Sequence, residues 1–196
     1  MMEEIIKAIK QTKNEIGNKE VECEWREFLL SEIFDIQHGN GFDKNKMTFN
    51  NPKINFISRT RENNGFLCKV DLITTIKPYK SGLITMSLIG EGRGACFIQN
   101  DPFYTTQNML VLNPKSNLIT NNVKLFLIQR ITYTARTIYD AYTNTLHGNI
   151  DKFLINLPTK NNKPDFEMME KIIVDLKNKM KISAIAERER ESKKST

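Results

Sequence analysis

Residues 82–114 read GLITMSLIGEGRGACFIQNDPFYTTQNMLVLNP. Two short runs rich in apolar and β-branched residues, Leu83–Leu88 and Ala95–Gln99, flank the glycine-rich GEGRG. This is the pattern of a β-hairpin, and a further strand through FYTTQNMLVL is expected to end at Pro114. The spacing G-x-G-x-G is not a dinucleotide-binding fingerprint, because a strand-like ACFIQ follows where a helix should begin.

Upstream, Ile54 to Leu112 keeps the same β texture, punctuated by NNG, KSG, NDP and NPKS. WREFLLSEIFDI suits a short helix or a strand–turn–helix, and HGNG is a turn by composition. Met2 to about Lys13 places Ile5, Ile6 and Ile9 on one helical face. Downstream, NVKLFLIQRITYTARTIY predicts a helix with Val123, Leu127, Ile131 and Ile138 roughly in phase. IDKFLINLPT predicts a strand that stops at Pro158, and KNNK a polar linker. Pro164 and Asp165 then open a long helix. Within it Met169, Ile173, Leu176 and Met180 repeat at 4-3-4 spacing, a short coiled-coil-like seam. About 27 helical residues would span roughly 40 Å, too far for the end to be buried on a small domain. The expected class is therefore α+β, a mixed, mostly β domain with flanking helices and a long C-terminal helix.

The 196 residues, 39% hydrophobic and 27% charged, are those of a soluble globular protein. No apolar run approaches the roughly 20 residues of a membrane span, and MMEEIIKAIKQ lacks the basic start of a signal peptide. Cys23, Cys68 and Cys96 have no metal-like spacing and cannot all pair, which fits a reducing cytoplasm. The charge is unevenly spread: residues 44–100 hold nine Lys and Arg against three Asp and Glu. That excess equals the net +6 of the whole chain. Concentrated positive charge favours polyanions and points to nucleic acid.

The basic segment contains NFISRTRENNGF, residues 55–66. Arg59 and Arg61 have forked donors that fit guanine O6 and N7, whereas Asn63 and Asn64 can pair with adenine N6 and N7. Ser58 and Thr60 are short donors for phosphates or bases. On a strand the two arginines would share one face. A turn accounts for Asn64 and Gly65 equally well, since both tolerate positive φ, but a turn needs neither arginine. Lys77, Tyr79 and Lys80 interleave an aromatic ring with cations, as backbone contact and stacking require; an ordinary exposed loop is the competing account. Arg93 lies within GEGRG, where glycines permit close approach to a groove. Gln107 and Asn108 are further candidate adenine readers, although Gln107 could instead cap a strand.

Catalytic patterns fare less well. NDPFY shares part of the D-P-P-Y motif of amino-methyltransferases but lacks the second proline and a preceding glycine-rich cofactor loop. Pro164-Asp165 with Asp175-Leu176-Lys177 fits P-D…D-x-K formally, yet a metal nuclease needs those groups on adjoining strand ends. On a helix, Asp165 is better explained as an N-terminal acid. His38 and His147 fall in turns with no nucleophile at recognisable spacing.

Taken in order, NFISRTRENNGF, the 82–114 block and NLPTKNNKPDFEMMEKII resemble the target recognition domain of specificity subunits of type I restriction–modification systems, including BcgI-like and related type II modules. The likeness covers about Trp25 to Leu176. It implies an N-terminal helix and linker over residues 1–18, a target recognition domain over 19–160 and a connecting or dimerisation helix over 161–196. It also implies a cytoplasmic, non-catalytic subunit that reads double-stranded DNA. A partner methyltransferase subunit, itself holding S-adenosylmethionine, and a restriction subunit would supply the chemistry. Complete subunits of this family usually carry two such domains. One domain with one long helix therefore leaves three options: a half-length subunit that forms a homodimer through Met169, Ile173, Leu176 and Met180, a truncated gene, or a piece of a larger enzyme. The alternative is a small nuclease or methyltransferase with its own active site; a third possibility is a protein-interaction module.

Overall fold

The computed structural model of the chain describes residues 24–140 and 144–194. The helix expected over residues 1–18 lies outside them. Three small sheets and two long helices form an α+β fold. In chain order the elements are β1 (Glu24–Leu29), α1 (Leu30–Ile33), β2 (Phe34–His38), β3 (Ile54–Ile57), β4 (Phe66–Val70), β5 (Ile84–Ser87) and β6 (Cys96–Ile98). There follow β7 (Phe103–Thr105), β8 (Met109–Pro114), α2 (Asn121–Ile138), β9 (Leu154–Lys160), β10 (Lys163–Pro164) and α3 (Phe166–Lys194). WREFLLSEIFDI is thus a strand, a single helical turn and a second strand.

The central sheet has the order β2-β8-β5-β6 and is antiparallel throughout. All four residues of β5 are buried, because both faces of this sheet are covered. Ile84, Met86, Leu110 and Leu112 face a helical layer containing Val123, Phe126, Leu127 and Ile131 of α2. Val111 and Met109 face the other way, against Ile57 and Phe103 of the second sheet, β4-β3-β7. The expected hairpin is β5 and β6, paired in register from Ile84↔Ile98 to Met86↔Cys96.

FYTTQNMLVLNP is two strands rather than one. Asn108 takes a left-handed conformation at φ 58°. β7 therefore pairs in parallel with β3, whereas β8 joins the central sheet between β2 and β5. Pro158 does not stop its strand either. In an antiparallel ladder a residue's N–H and C=O point to the same side, and the Pro158 carbonyl accepts from Asp165 N at 2.8 Å. The missing donor therefore points away from β1, and pairing with Trp25 survives. KNNK is a tight hairpin between β9 and β10, with Asn161 and Asn162 both at positive φ, the geometry of a two-residue primed turn.

Asp165 caps α3 by accepting from Met168 N at 2.9 Å, and Thr120 caps α2 by accepting from Val123 N at 3.2 Å. The proposed seam on α3 needs correction. Met169, Ile173 and Leu176 are buried in this chain's own core, and only Met180 is exposed, at 39%. A stripe at this spacing equally describes a helix packed on its own domain. The core runs past the expected boundary at residue 160, as far as Leu176. Arg130 joins the layers: its guanidinium stacks on the rings of Trp25 and Tyr133, each centroid 5.5 Å away, and its Nε donates to the Asn156 carbonyl at 2.9 Å. Among the described residues no helix is long and apolar enough to cross a membrane.

Candidate nucleic-acid interface

Parallel pairing of β3 and β7 sends the chain out of the same sheet end after Ile57 and after Thr105. Thr106 N donates to the Ile57 carbonyl at 2.9 Å, which sets the loop at 58–62 beside the turn at 106–108. The β5–β6 turn reaches the same end, since Leu88 N donates to the Asn108 carbonyl at 3.0 Å. Three segments far apart in sequence thus meet at one rim.

The loop after β3 is closed at its base and open at its tip. Ser58 N and its Oγ both donate to the Gly65 carbonyl, at 2.7 and 3.3 Å, and Gly65 N donates to the Glu62 carbonyl at 2.9 Å. Asn64 Nδ2 donates to the Ile98 carbonyl at 3.0 Å, and Gln99 Nε2 returns a bond to the Asn64 carbonyl at 3.1 Å. Of the candidate DNA contacts, Ser58 therefore closes the base of the loop and Asn64 holds it on β6. Asn63 and Asn64 also supply the left-handed turn, at φ 47° and 55°. What projects is Arg59, Thr60 and Arg61, all exposed. They lie in a bend beyond the end of β3, so the strand alternation expected for the two arginines does not apply.

Arg59 to Glu62 and Ile89 to Gly92 line a cleft of about 560 Å³. A Cβ on Gly92 would lie 1.7 Å from the Arg59 carbonyl oxygen, so only glycine allows the hairpin turn to sit directly on the arginine loop. Arg93 follows, half-buried, with its Nε out of solvent and without a hydrogen-bond partner among the described residues. No ion pair joins Arg59, Arg61 or Arg93 to a carboxylate among the described residues. Gln107 stands exposed at the neighbouring turn, while Asn108 is half-buried and supplies the left-handed residue of that turn.

The remaining candidates fall elsewhere. Tyr79 stacks on Phe103 with centroids 5.4 Å apart, pairs its backbone with Phe103 and donates its hydroxyl to the His38 carbonyl at 3.0 Å. Burial pushes its phenol up. That ring is a structural member and is not free to stack on a base. Lys77 and Lys80 are exposed on either side of it. Lys80 lies near Lys124, whose ammonium is held below its usual value by burial and then by that neighbouring charge.

Sequence inspection missed two features of the rim. HGNGF, residues 38–42, reaches it: Thr105 N donates to Asn40 Oδ1 at 3.2 Å, and Phe42 bridges Thr106. The rings of His38 and His147, expected in separate turns, stand 6.2 Å apart. Arg136 on α2 is the second. Burial, then the charge of Arg61, hold its guanidinium below the usual value; the Cys96 thiol acts in the opposite sense, and Arg93 adds to the depression. No local motif marks Arg136, because its neighbours come from residues 61 and 93.

Asp165, of the formal P-D…D-x-K pattern, is spent as the α3 cap, and Lys177 Nζ donates to Asn122 Oδ1 at 2.5 Å. Cys96 is buried, and desolvation pushes its thiol up, the setting of an unreactive packing residue.

Residues 22–186 match the family described as the type I restriction modification DNA specificity domain. The specificity subunit S.BcgI of a type II restriction enzyme from Heyndrickxia coagulans is 29% identical over 154 residues, covering 78% of this chain and 44% of that protein. The fold resembles the type I S subunit of M. genitalium, with a TM-score of 0.58 at 14% identity over 91% of this chain and 46% of that one. It also resembles the HsdS subunit of Thermoanaerobacter tengcongensis, with a TM-score of 0.59 at 15% identity over 87% of this chain and 41% of that one. The chain spans less than half the length of each of these relatives.

Proposed function

The chain belongs to the type I restriction modification DNA specificity domain family, and from that premise we propose that it recognises a sequence in double-stranded DNA. The observation that carries this reading is the convergence on one rim of Arg59 and Arg61 with the hairpin turn that bears Arg93, with no carboxylate among the described residues ion-paired to any of the three. A surface whose cations are left unpaired in the free protein is suited to a polyanion. Arg59 and Gln107 are exposed side chains suited to reach base edges, and Arg61 adds positive charge beside them. Lysines such as Lys77 and Lys80 would hold phosphates at the flanks.

In this proposal the chain performs no chemistry. It positions a methyltransferase subunit, which carries S-adenosylmethionine, and a restriction subunit in systems that cleave. The exposed stretch of α3 beyond Leu176, with Met180 and Ile182 outward, is the surface proposed for docking another polypeptide. A second copy would have to use that stretch, because Met169, Ile173 and Leu176 are already covered.

Selection of bound duplexes from a random library, with and without the cognate methyltransferase, tests the reading. Enrichment of one defined motif by the wild-type chain is expected, and its loss in Arg59→Ala with weak general binding retained. Recovery of an unenriched pool under both conditions would overturn it. Turnover of DNA by the purified chain with magnesium and S-adenosylmethionine would instead favour the catalytic alternative.

A further inference from the structure

The β5–β6 turn is clasped from two sides. On one side Gly92 rests on the Arg59 carbonyl. On the other, Gly94, at φ +72°, lies so close to α2 that a Cβ there would come within 2.3 Å of Ala135 Cβ, and Thr132 Oγ1 donates to the Gly94 carbonyl at 2.9 Å. Arg93, between these glycines, is thereby fixed between the Arg61 loop and the last turn of α2, where Arg136 follows Ala135. Backbone packing thus brings together the three separate segments that carry Arg61, Arg93 and Arg136.

Among the described residues no ion-paired counter-charge explains the cluster. Glu62 and Glu91 border the adjoining cleft, yet neither forms an ion pair with any of the three arginines among the described residues. Arg93 Nε is buried without a partner among the described residues, and burial, then the charge of Arg61 and less strongly that of Arg93, lower the proton affinity of Arg136. A cation at a helix C-terminus is favourable in itself, which accounts for Arg136 alone but not for two more guanidiniums facing it. Three arginines on converging segments suit a compact anion with several acceptor oxygens.

We propose that Arg61, Arg93 and Arg136 form one anion subsite that grips a phosphate of the duplex backbone, leaving Arg59 and Gln107 to read bases. This rests on the DNA-recognition reading above and assigns the arginines of the rim to two different tasks. The subsite fixes the register of the rim on the duplex without regard to sequence.

The test compares wild type, Arg136→Gln, Arg136→Lys and Arg61→Gln for binding to a labelled random-sequence duplex pool and to the selected motif over a salt series. Arg136→Gln is expected to weaken binding to both about tenfold and to lower the salt slope by about one. Arg136→Lys keeps the slope but loses part of the affinity, because the fork is gone. Arg61→Gln, outside any helix, shows the same uniform loss, which separates the effect from fraying of α2. If wild type binds while Arg136→Gln and Arg61→Gln match it, the subsite is overturned and DNA recognition stands. A loss confined to the selected motif would make these residues base readers and also overturn the subsite. Failure of wild type to bind any duplex at low salt would overturn the underlying reading as well.

Discussion

At the N-terminal end of α2, Thr120 and Asn122 donate to Glu170 of α3, and Lys177 donates back to Asn122. At the C-terminal end, Arg136 faces Arg61 and Arg93, and no carboxylate is bonded to any of them among the described residues. One helix thus closes its polar groups internally at one end and leaves like charges together at the other. Mutually satisfied groups serve folding, whereas an unrelieved cluster costs stability and persists where a ligand completes it.

The contrast can be broken most forcefully in the core. Phe126 is fully buried against Trp25, with ring centroids 6.3 Å apart. Phe126→Ala is expected to cost ~3–5 kcal/mol in urea unfolding while leaving the preferred DNA sequence of the folded fraction unchanged. An altered motif would show that core and rim are not separable. Next in size, Arg59→Ala should lose ~1–3 kcal/mol of discrimination between the selected motif and a mismatched duplex. Its unfolding free energy should stay within about 0.5 kcal/mol of wild type. A large fall in stability would make Arg59 a structural residue.

The smallest effect sits at the satisfied end. Hydrogen bonds from Thr120 and then Asn122, with the Lys177 charge, hold Glu170 below its ordinary value of 4.5. A carboxylate depressed by folding stabilises fully above that ordinary value and ceases to do so as pH falls through the depressed one. Glu170 is only half-buried, at the surface, so screening by solvent keeps the contribution under about 1 kcal/mol. Glu170→Gln should therefore be slightly less stable than wild type at pH 7, with the gap narrowing as pH falls below 4.5 and DNA affinity untouched. A gap that does not narrow on acidification would remove the carboxylate from the clasp.

Much of this arrangement is legible in the sequence, and the failures have a common physical origin. The β5–β6 hairpin, the α2 face and the Asp165 start of α3 follow from local periodicity and turn chemistry, which act over a few residues. Pro158 is misread as a stop because the side to which a missing N–H points depends on β1 and β10. Met169, Ile173 and Leu176 form one apolar stripe whatever covers it, so spacing alone does not separate a partner helix from the chain's own sheet. Tyr79 looks like a base-stacking ring among lysines until Phe103 is placed beneath it. Arg59 and Arg61 stand out as charges a turn does not need, whereas Arg136 becomes visible only when Gly94 seats the hairpin on Ala135.

Hydrogen exchange measured by mass spectrometry, with and without the selected duplex, tests the central claim most directly. Protection strongest at residues 58–62, 89–94 and 106–108 and the last turn of α2, and weaker at the flanking residues 77–80, is the predicted result. Protection concentrated on the β9–β10 hairpin or on α3, with the arginine rim exchanging as in the free protein, would contradict it.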